Sequence, residues 1–113
     1  MLYHITTPAE WARAQAAGQL APASLQREGF VHASTREQVL RSGERWFAGQ
    51  DGLLLLEIDP QAVAERLRWE DLLGEGQEFP HVYGPVPLTA IRAVHPFQRG
   101  PDGRLRWPPA AER

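Results

Sequence analysis

The alternation of apolar and polar residues predicts a strand followed by a helix at the start of the chain. Residues 2–6, LYHIT, are rich in strand-forming side chains. Residues 7–10, TPAE, then supply an N-cap, a proline at the first helical position and the glutamate of a capping box. We therefore predict a helix from Pro8 to Ala17 that ends at Gly18, then a loop with one helical turn over 19–28.

The same pattern recurs from Phe30 onwards. Residues 30–34 predict a second strand, and residues 34–37, STRE, repeat the sequence of a capping box. Gly43 lies in the helix that follows and would allow close approach to a sheet. The apolar side chains of this helix share one face: Val39, Leu40, Trp46 and Phe47.

The second half of the chain predicts strands and loops. Residues 53–58, LLLLEI, are almost continuously apolar, as expected of a central strand covered on both faces. A short helical turn over 60–64 and a half-exposed strand over 66–70 follow. The glycine- and proline-rich residues 72–87 predict a loop, with at most a brief extended piece, and residues 88–97 predict a last strand.

This order of elements predicts an α+β fold with two main helices on a curved or split mixed β-sheet. The chain has 113 residues, a length that favours a single domain. We place that domain at residues 1–107 and expect residues 108–113 to form a flexible C-terminal tail.

Composition narrows the classes of function. Hydrophobic residues make up 42% and charged residues 23% of the chain, and the net charge of −2 argues against tight, non-specific nucleic-acid binding. The chain has no cysteine, which excludes disulfides and thiol nucleophiles. Its longest apolar run, LLLL, is too short to span a bilayer. We expect a cytoplasmic protein that does not bind membranes, and the oligomeric state is left open.

Two short motifs of the type His-x-[Ser/Thr]-Thr suggest a binding cleft. Because residues two apart on a strand share a face, His4 and Thr6 point together, as do His32 and Ser34. If the two strands face each other, these four polar side chains converge. The simpler interpretation is that the hydroxyl residues cap helices and the imidazoles lie at strand ends.

His81 is the third candidate, mounted between Phe79 and Tyr83 in a segment that prolines restrain. Three separated histidines could ligate one metal and leave a position for water, as in hydrolytic zinc sites. No two of them have a spacing that forms a local chelate, so we expect no metal. A His-ligated hydrolase is retained as an alternative.

Four blocks of the sequence, YHIT, GFVHAST, LLLLEIDP and FPHVYGPVPL, resemble the domain of unknown function 952 family (DUF952) over about residues 2–98. That family has no established activity. Its fold resembles that of the ADP-ribosyltransferase superfamily, which includes NAD-dependent ADP-ribosyltransferases and RNA 2′-phosphotransferases. The resemblance implies an ADP-ribosyltransferase-like sheet and NAD as a substrate.

The superfamily resemblance also implies roles for particular residues. His4 and Thr6 match the block whose imidazole and hydroxyl hold the ribose and amide ends of NAD. His32, followed by Ser34, takes the second position and would pack on the base or nicotinamide. His81, with Tyr83 on the same side, takes the third position, where the superfamily commonly has Glu; Glu78 or Glu57 would then supply the carboxylate.

The sequence thus supports a leading hypothesis and two alternatives. The leading one is an enzyme that binds NAD or a similar nucleotide and transfers an ADP-ribosyl or phosphate group, with His81, His32 and Glu78 as candidate catalytic residues. A non-catalytic module that binds a small nucleotide-like ligand is the first alternative. The metal-dependent hydrolase is the second.

Overall fold

Residues 1–111, which the computed structural model describes, fold into eight short strands and three α-helices. The strands are β1 (Leu2–Thr6), β2 (Gln19–Leu20), β3 (Val31–His32), β4 (Leu53–Ile58), β5 (Leu67–Glu70), β6 (Phe79–Val82), β7 (Val86–Pro87) and β8 (Ile91–Phe97). The helices are α1 (Pro8–Ala17), α2 (Ala23–Glu28) and α3 (Val39–Trp46). Short 3-10 helices cover Pro60–Arg66, Leu88–Ala90 and Pro109–Ala111.

The central strand is β4, which pairs antiparallel with β1 on one side and β8 on the other. The sheet is buried on both faces, as the apolar run LLLL predicts. Tyr3 and Ile5 pack with α3 and the C-terminal segment on one face. The opposite face contributes Leu2, Leu56 and Ile58 to a second cluster that includes Ala14 of α1 and the apolar residues of β3 and β6.

A second sheet, in the order β3-β6-β5, continues from the edge of the first. A bridge between Tyr3 and Ser34 joins them, with both backbone N–O distances at 2.8 Å. β2 and β7 form a separate two-stranded ribbon. The predicted curved or split sheet is thus observed. Every pairing between these strands is antiparallel, so the prediction of a mixed sheet is wrong, because side-chain patterns set buried faces but not strand direction.

The two predicted helix starts differ in outcome. α1 begins as predicted, since the Thr7 side chain accepts a hydrogen bond from the Glu10 backbone N–H at 3.2 Å, and the helix ends at Gly18 with φ of 80°. α3 begins at Val39, later than predicted. The Thr35 backbone N–H donates to the Gln38 side chain at 3.0 Å, so Gln38 replaces Glu37 as the residue that closes this turn.

The loop predicted for residues 72–87 contains two strands. β6 is the middle strand of its sheet, although Pro80 lies within it. The Pro80 carbonyl still accepts a hydrogen bond from the Ala33 backbone N–H at 3.2 Å. Pairing with strands on both sides outweighs the local proline and glycine signal, which predicted a loop. Residues 19–28, also predicted as mostly loop, contain β2 and α2.

The C-terminal segment packs onto the domain further than predicted. The Trp107 ring meets the Tyr3 ring edge-on, with centroids 5.1 Å apart. Arg36 donates a hydrogen bond to the Ala111 carbonyl at 2.8 Å, and Ala111 is buried. The predicted tail, residues 108–113, is therefore packed as far as Ala111, and its last two residues lie outside the described range. Within residues 1–111, no helix is both long and apolar enough to cross a bilayer.

We predict that Gly43→Ala destabilises the protein by about 1–3 kcal/mol, because the core at this point has no room for a methyl group. A Cβ at Gly43 would overlap the Leu105 side chain and lie 3.3 Å from those of Ile5 and Phe97. Urea denaturation would measure the change in the free energy of unfolding. Arg41→Ala, at an exposed position of the same helix, is the control; equal stability of the two variants would contradict the prediction.

Candidate functional site

A cleft of about 540 Å³ opens where the two sheets diverge. This volume is within the range of pockets that hold small molecules, roughly 300–1,000 Å³. β1 and β3 provide its polar wall, while α3 and the segment after β5 provide a largely apolar one. Five of the residues predicted from the sequence line it: His4, Thr6, His32, Ser34 and His81.

His4 and Thr6 form the buried polar part of the cleft, with 6% and 3% of their surface exposed. The His4 Nδ1 lies 2.6 Å from the His32 carbonyl oxygen. A carbonyl oxygen can only accept a hydrogen bond, so Nδ1 carries the proton. Neither the His4 Nε2 nor the Thr6 hydroxyl has a hydrogen-bond partner among residues 1–111.

Burial keeps the His4 ring neutral. Loss of hydration lowers the pKa of His4 from 6.5 to about 4, although the hydrogen bond to the His32 carbonyl opposes this effect. At neutral pH the ring is therefore uncharged, and Nε2 holds a lone pair. The cleft thus contains a buried hydrogen-bond acceptor at Nε2 beside a hydroxyl that can donate or accept.

Ser34 adds a third polar side chain next to this pair. Its hydroxyl donates to the Ser42 hydroxyl at 3.2 Å, which connects the end of β3 to α3. Ser34 was predicted to share the face of His32 and to cap a helix. It lines the cleft, but it does not cap α3, because the turn before that helix is closed by Thr35 and Gln38. Its hydroxyl bonds to the side of α3 instead.

His32 and His81 face each other across the β3–β6 pair. Their ring centroids are 5.6 Å apart in an edge-on arrangement, and the Phe30 ring lies 4.1 Å from the His81 ring. His32 is largely exposed and its Nε2 is 2.9 Å from a Glu28 carboxylate oxygen. The hydrogen bond from His32 lowers the pKa of Glu28. The two strand motifs therefore do converge, and His4, Thr6 and Ser34 are buried while His32 is exposed.

Glu70 holds His81 from the neighbouring strand β5. The His81 Nδ1 is 2.9 Å from the Glu70 Oε1, and the Tyr83 hydroxyl donates to the same oxygen at 2.6 Å. The hydrogen bond from Tyr83, followed by that from His81, lowers the pKa of Glu70. The cleft wall thus includes an ionised carboxylate bound to a histidine.

The two carboxylates suggested by the sequence lie elsewhere. Glu78 is exposed and is not among the residues that line the cleft; its backbone carbonyl accepts a hydrogen bond from Gln38 at 2.7 Å. Glu57 pairs with Tyr3 in the register of β1 and β4, hence it lies on the sheet face away from His4, where it bonds to His95.

Glu70 is the residue that sequence reasoning missed. It stands at the end of the strand predicted over 66–70, but the facing strand β6 was not predicted, so nothing placed it beside His81. In the observed register Arg68 pairs with His81 and Glu70 pairs with Phe79. A diagonal contact between Glu70 and His81 follows from that register.

Apolar side chains form the rim of the cleft. Trp46, Leu72 and Leu73 are 57%, 61% and 52% exposed, although Trp46 was predicted on the buried face of α3. They line the cleft together with Phe47 and Phe79. The prediction for Trp46 failed because the face of α3 that covers the sheet runs through the buried Val39 and Gly43 to Phe47, which packs against the core, and leaves Trp46 beside it.

The described residues contain no group of three or more histidine, aspartate or glutamate side chains placed to hold a metal ion. Each cleft histidine instead uses a ring nitrogen for a hydrogen bond: His4 to a backbone carbonyl, and His32 and His81 to carboxylates. The hydrolase alternative therefore has no ligand set within residues 1–111.

Residues 5–94 match the family described as "Protein of unknown function (DUF952)", so the chain belongs to this family. It is similar to the crystal structure of protein CC0527 from Caulobacter crescentus, with 33% identity, a TM-score of 0.84, and coverage of 93% of this chain and 92% of that one. The solution NMR structure of CC0527 matches with 34% identity, a TM-score of 0.79, and coverage of 91% and 89%. A comparison with curated proteins found no match.

We predict that acidification destabilises the fold through His4. Because the pKa of His4 is about 4 in the folded chain against 6.5 in the reference state, the unfolded chain gains a proton that the folded chain does not. Stability from this residue is fully present above about pH 6.5 and is lost towards pH 4, by up to ~3 kcal/mol.

Urea denaturation of the native protein and of His4→Gln, at several pH values between about 7 and 4.5, measures this contribution. Glutamine can donate to the His32 carbonyl but does not titrate. The native protein should lose about 2–3 kcal/mol more than the variant over this range. Parallel pH dependence in the two proteins would show that His4 is not a buried neutral base.

Proposed function

We propose that the chain binds a nucleotide-type small molecule such as NAD in this cleft and acts as an ADP-ribosyl- or phospho-transferase-like enzyme. The observation that carries the proposal is the buried pair of His4 and Thr6, whose Nε2 and hydroxyl have no partner among the described residues. Buried polar atoms of this kind are usually satisfied. A ligand that bonds to both would remove their cost.

The chemistry of the pair suits a ribose. One sugar hydroxyl would donate to the His4 Nε2, and the neighbouring hydroxyl would bond to the Thr6 hydroxyl, which both donates and accepts. The resemblance to the ADP-ribosyltransferase superfamily assigns the same role to these positions. A bare anion is a poorer match at this point, because a neutral Nε2 cannot donate to it.

The rest of the cleft suits an aromatic base. Trp46, Phe47 and Phe79 add aromatic surface to its lining, and aromatic faces stack on nucleobases. His32 also lines the cleft with its ring exposed, where it would pack on the base or nicotinamide. Ser34 would add a hydrogen bond if its hydroxyl turned away from Ser42.

Catalysis is assigned to His81, which lines the cleft and whose Nδ1 lies 2.9 Å from a Glu70 carboxylate oxygen, while His32, paired with Glu28 in the same way, is assigned to packing on the base. An imidazole nitrogen can both accept and donate a proton, so His81 would serve as acid or base. Tyr83 supports it through Glu70. Glu78 receives no role at the reacting bond, because its side chain does not line the cleft.

A binding module without catalysis is the second candidate. The observation that favours it concerns Glu70, the carboxylate beside His81. Glu70 already accepts hydrogen bonds from Tyr83 and His81, so it is engaged within the protein rather than with a reacting group. Both candidates predict the same ligand, and only the enzyme predicts product. Incubation with NAD followed by chromatography for free nicotinamide separates them.

We predict opposite effects of Thr6→Val on folding and on binding. Valine keeps the shape but removes a buried hydroxyl without a partner, so the free protein should be as stable as the native one or more stable by about 1 kcal/mol. Affinity for NAD or ADP-ribose should fall about 3- to 10-fold, as one lost hydrogen bond implies.

Thermal unfolding with NAD, ADP-ribose, nicotinamide and inorganic phosphate measures both effects. Saturation at about 100 times the dissociation constant adds ~2.7 kcal/mol, which shifts the melting temperature by several degrees. Thr89→Val, at an exposed position outside the cleft, should retain the native response. Lack of stabilisation by any nucleotide, or an equal response of Thr6→Val and the native protein, would refute the proposed ligand site.

A further inference from the structure

The contact between His81 and Glu70 fixes more than the position of the ring. His81 is 5% exposed, and its ring lies against Phe30 with a centroid distance of 4.1 Å. Its Nδ1 lies 2.9 Å from the Glu70 Oε1, and that oxygen also accepts from Tyr83 at 2.6 Å. Glu70 is therefore held from two sides, and it holds the imidazole in turn.

The hydrogen bond determines which ring nitrogen carries the proton. An ionised carboxylate has no donor, so the Nδ1 of His81 must be the one that donates. The neutral ring then has its lone pair at Nε2. Because free imidazole side chains favour the opposite tautomer in water, this state depends on Glu70.

We propose that Glu70 is a positioning residue, which keeps His81 in the Nδ1–H tautomer so that Nε2 is the base that takes a proton from a hydroxyl group or water bound in the cleft. The proposal rests on the proposed transferase function.

The reaction can be written in full with NAD as the donor of the ADP-ribosyl group and water as the simplest acceptor of that group. The Nε2 of His81 takes a proton from water while the water oxygen forms a bond to the anomeric carbon of the ribose. The carbon–nitrogen bond to nicotinamide breaks, and nicotinamide leaves as a neutral molecule with the bonding electrons. The imidazolium, whose charge faces the Glu70 carboxylate, then releases the proton to solvent.

Other charged groups around His81 come from three elements. Arg68 of β5 pairs with His81 in the sheet register, and its guanidinium lies 5.8 Å from the Tyr83 ring centroid. His32 of β3 faces the ring edge-on, with Glu28 of α2 bound to its far nitrogen. Of Arg68, His32, Glu28 and Glu70, only Glu70 forms a hydrogen bond with the His81 ring.

The tautomer of His81 can be observed directly in the free protein. Long-range ¹H–¹⁵N correlation spectra of the imidazoles at about pH 8 distinguish a protonated Nδ1 from a protonated Nε2. We expect the Nδ1–H form in the native protein, and a shift towards the Nε2–H form in Glu70→Ala. Glu65→Gln, at an exposed position outside the cleft, should match the native spectrum.

If Glu70→Ala does not fold, Glu70→Gln keeps the side-chain shape and should give a mixture of tautomers, since its amide presents either an oxygen or an N–H₂ group. An Nε2–H form of His81 in the native protein overturns the proposal without any variant. So does an unchanged tautomer in a folded Glu70→Ala protein.

The role in proton transfer is tested with NAD and water. Glu70→Gln should bind NAD within about threefold of the native protein by calorimetry, whereas nicotinamide release should fall at least about tenfold. Binding of NAD without any nicotinamide release by the native protein would refute the base role of His81. Absence of NAD binding would refute the proposed function, and the tautomer experiment would still decide whether Glu70 positions His81.

Discussion

The hydrogen bond from the His4 Nδ1 to the His32 carbonyl, at 2.6 Å, is the interaction on which the cleft depends. It crosses the gap at which the two sheets part, beside the backbone bridge of Tyr3 and Ser34. Sheets that separate leave backbone groups without strand partners, and such groups must be satisfied in another way. Here a side chain from β1 satisfies the carbonyl of β3, and the cleft lies beside it.

The same hydrogen bond determines the chemistry of the site. It fixes the tautomer of His4, and burial lowers the pKa of the ring to about 4, so the site offers a neutral acceptor at neutral pH. The other wall differs, because His81 is bound to an ionised carboxylate. Under the proposed function, His4 serves recognition and His81 serves proton transfer, although both belong to short strands of the same domain.

Much of this arrangement is visible in the sequence, for physical reasons that can be stated. The alternation of side chains along β1 and β3 placed His4 with Thr6 and His32 with Ser34, and the capping residues Thr7 and Gly18 bounded α1 correctly. These signals are local. The run LLLL identified the central strand because burial on both faces requires an unbroken apolar sequence.

The features that failed depend on contacts distant in sequence. The residues of β6 predict a loop because Pro80 and the adjacent glycines dominate the local pattern. The pairing of β6 with β3 and β5 depends on residues distant in sequence, so the local pattern does not predict it. Glu70 was missed for the same reason, since its contact with His81 exists only in that pairing. Glu78, which is close in sequence to His81, lies just before β6 begins and faces solvent, so closeness in sequence did not bring it to the cleft.

A crystal structure of the protein with NAD is the most direct test of the central claim, that the cleft binds a nucleotide through the buried pair His4 and Thr6. The account predicts a ribose hydroxyl at hydrogen-bond distance, about 2.7–3.2 Å, from the His4 Nε2, with the base against the aromatic rim. NAD bound elsewhere on the molecule, or a cleft that stays empty at saturating NAD, would contradict it.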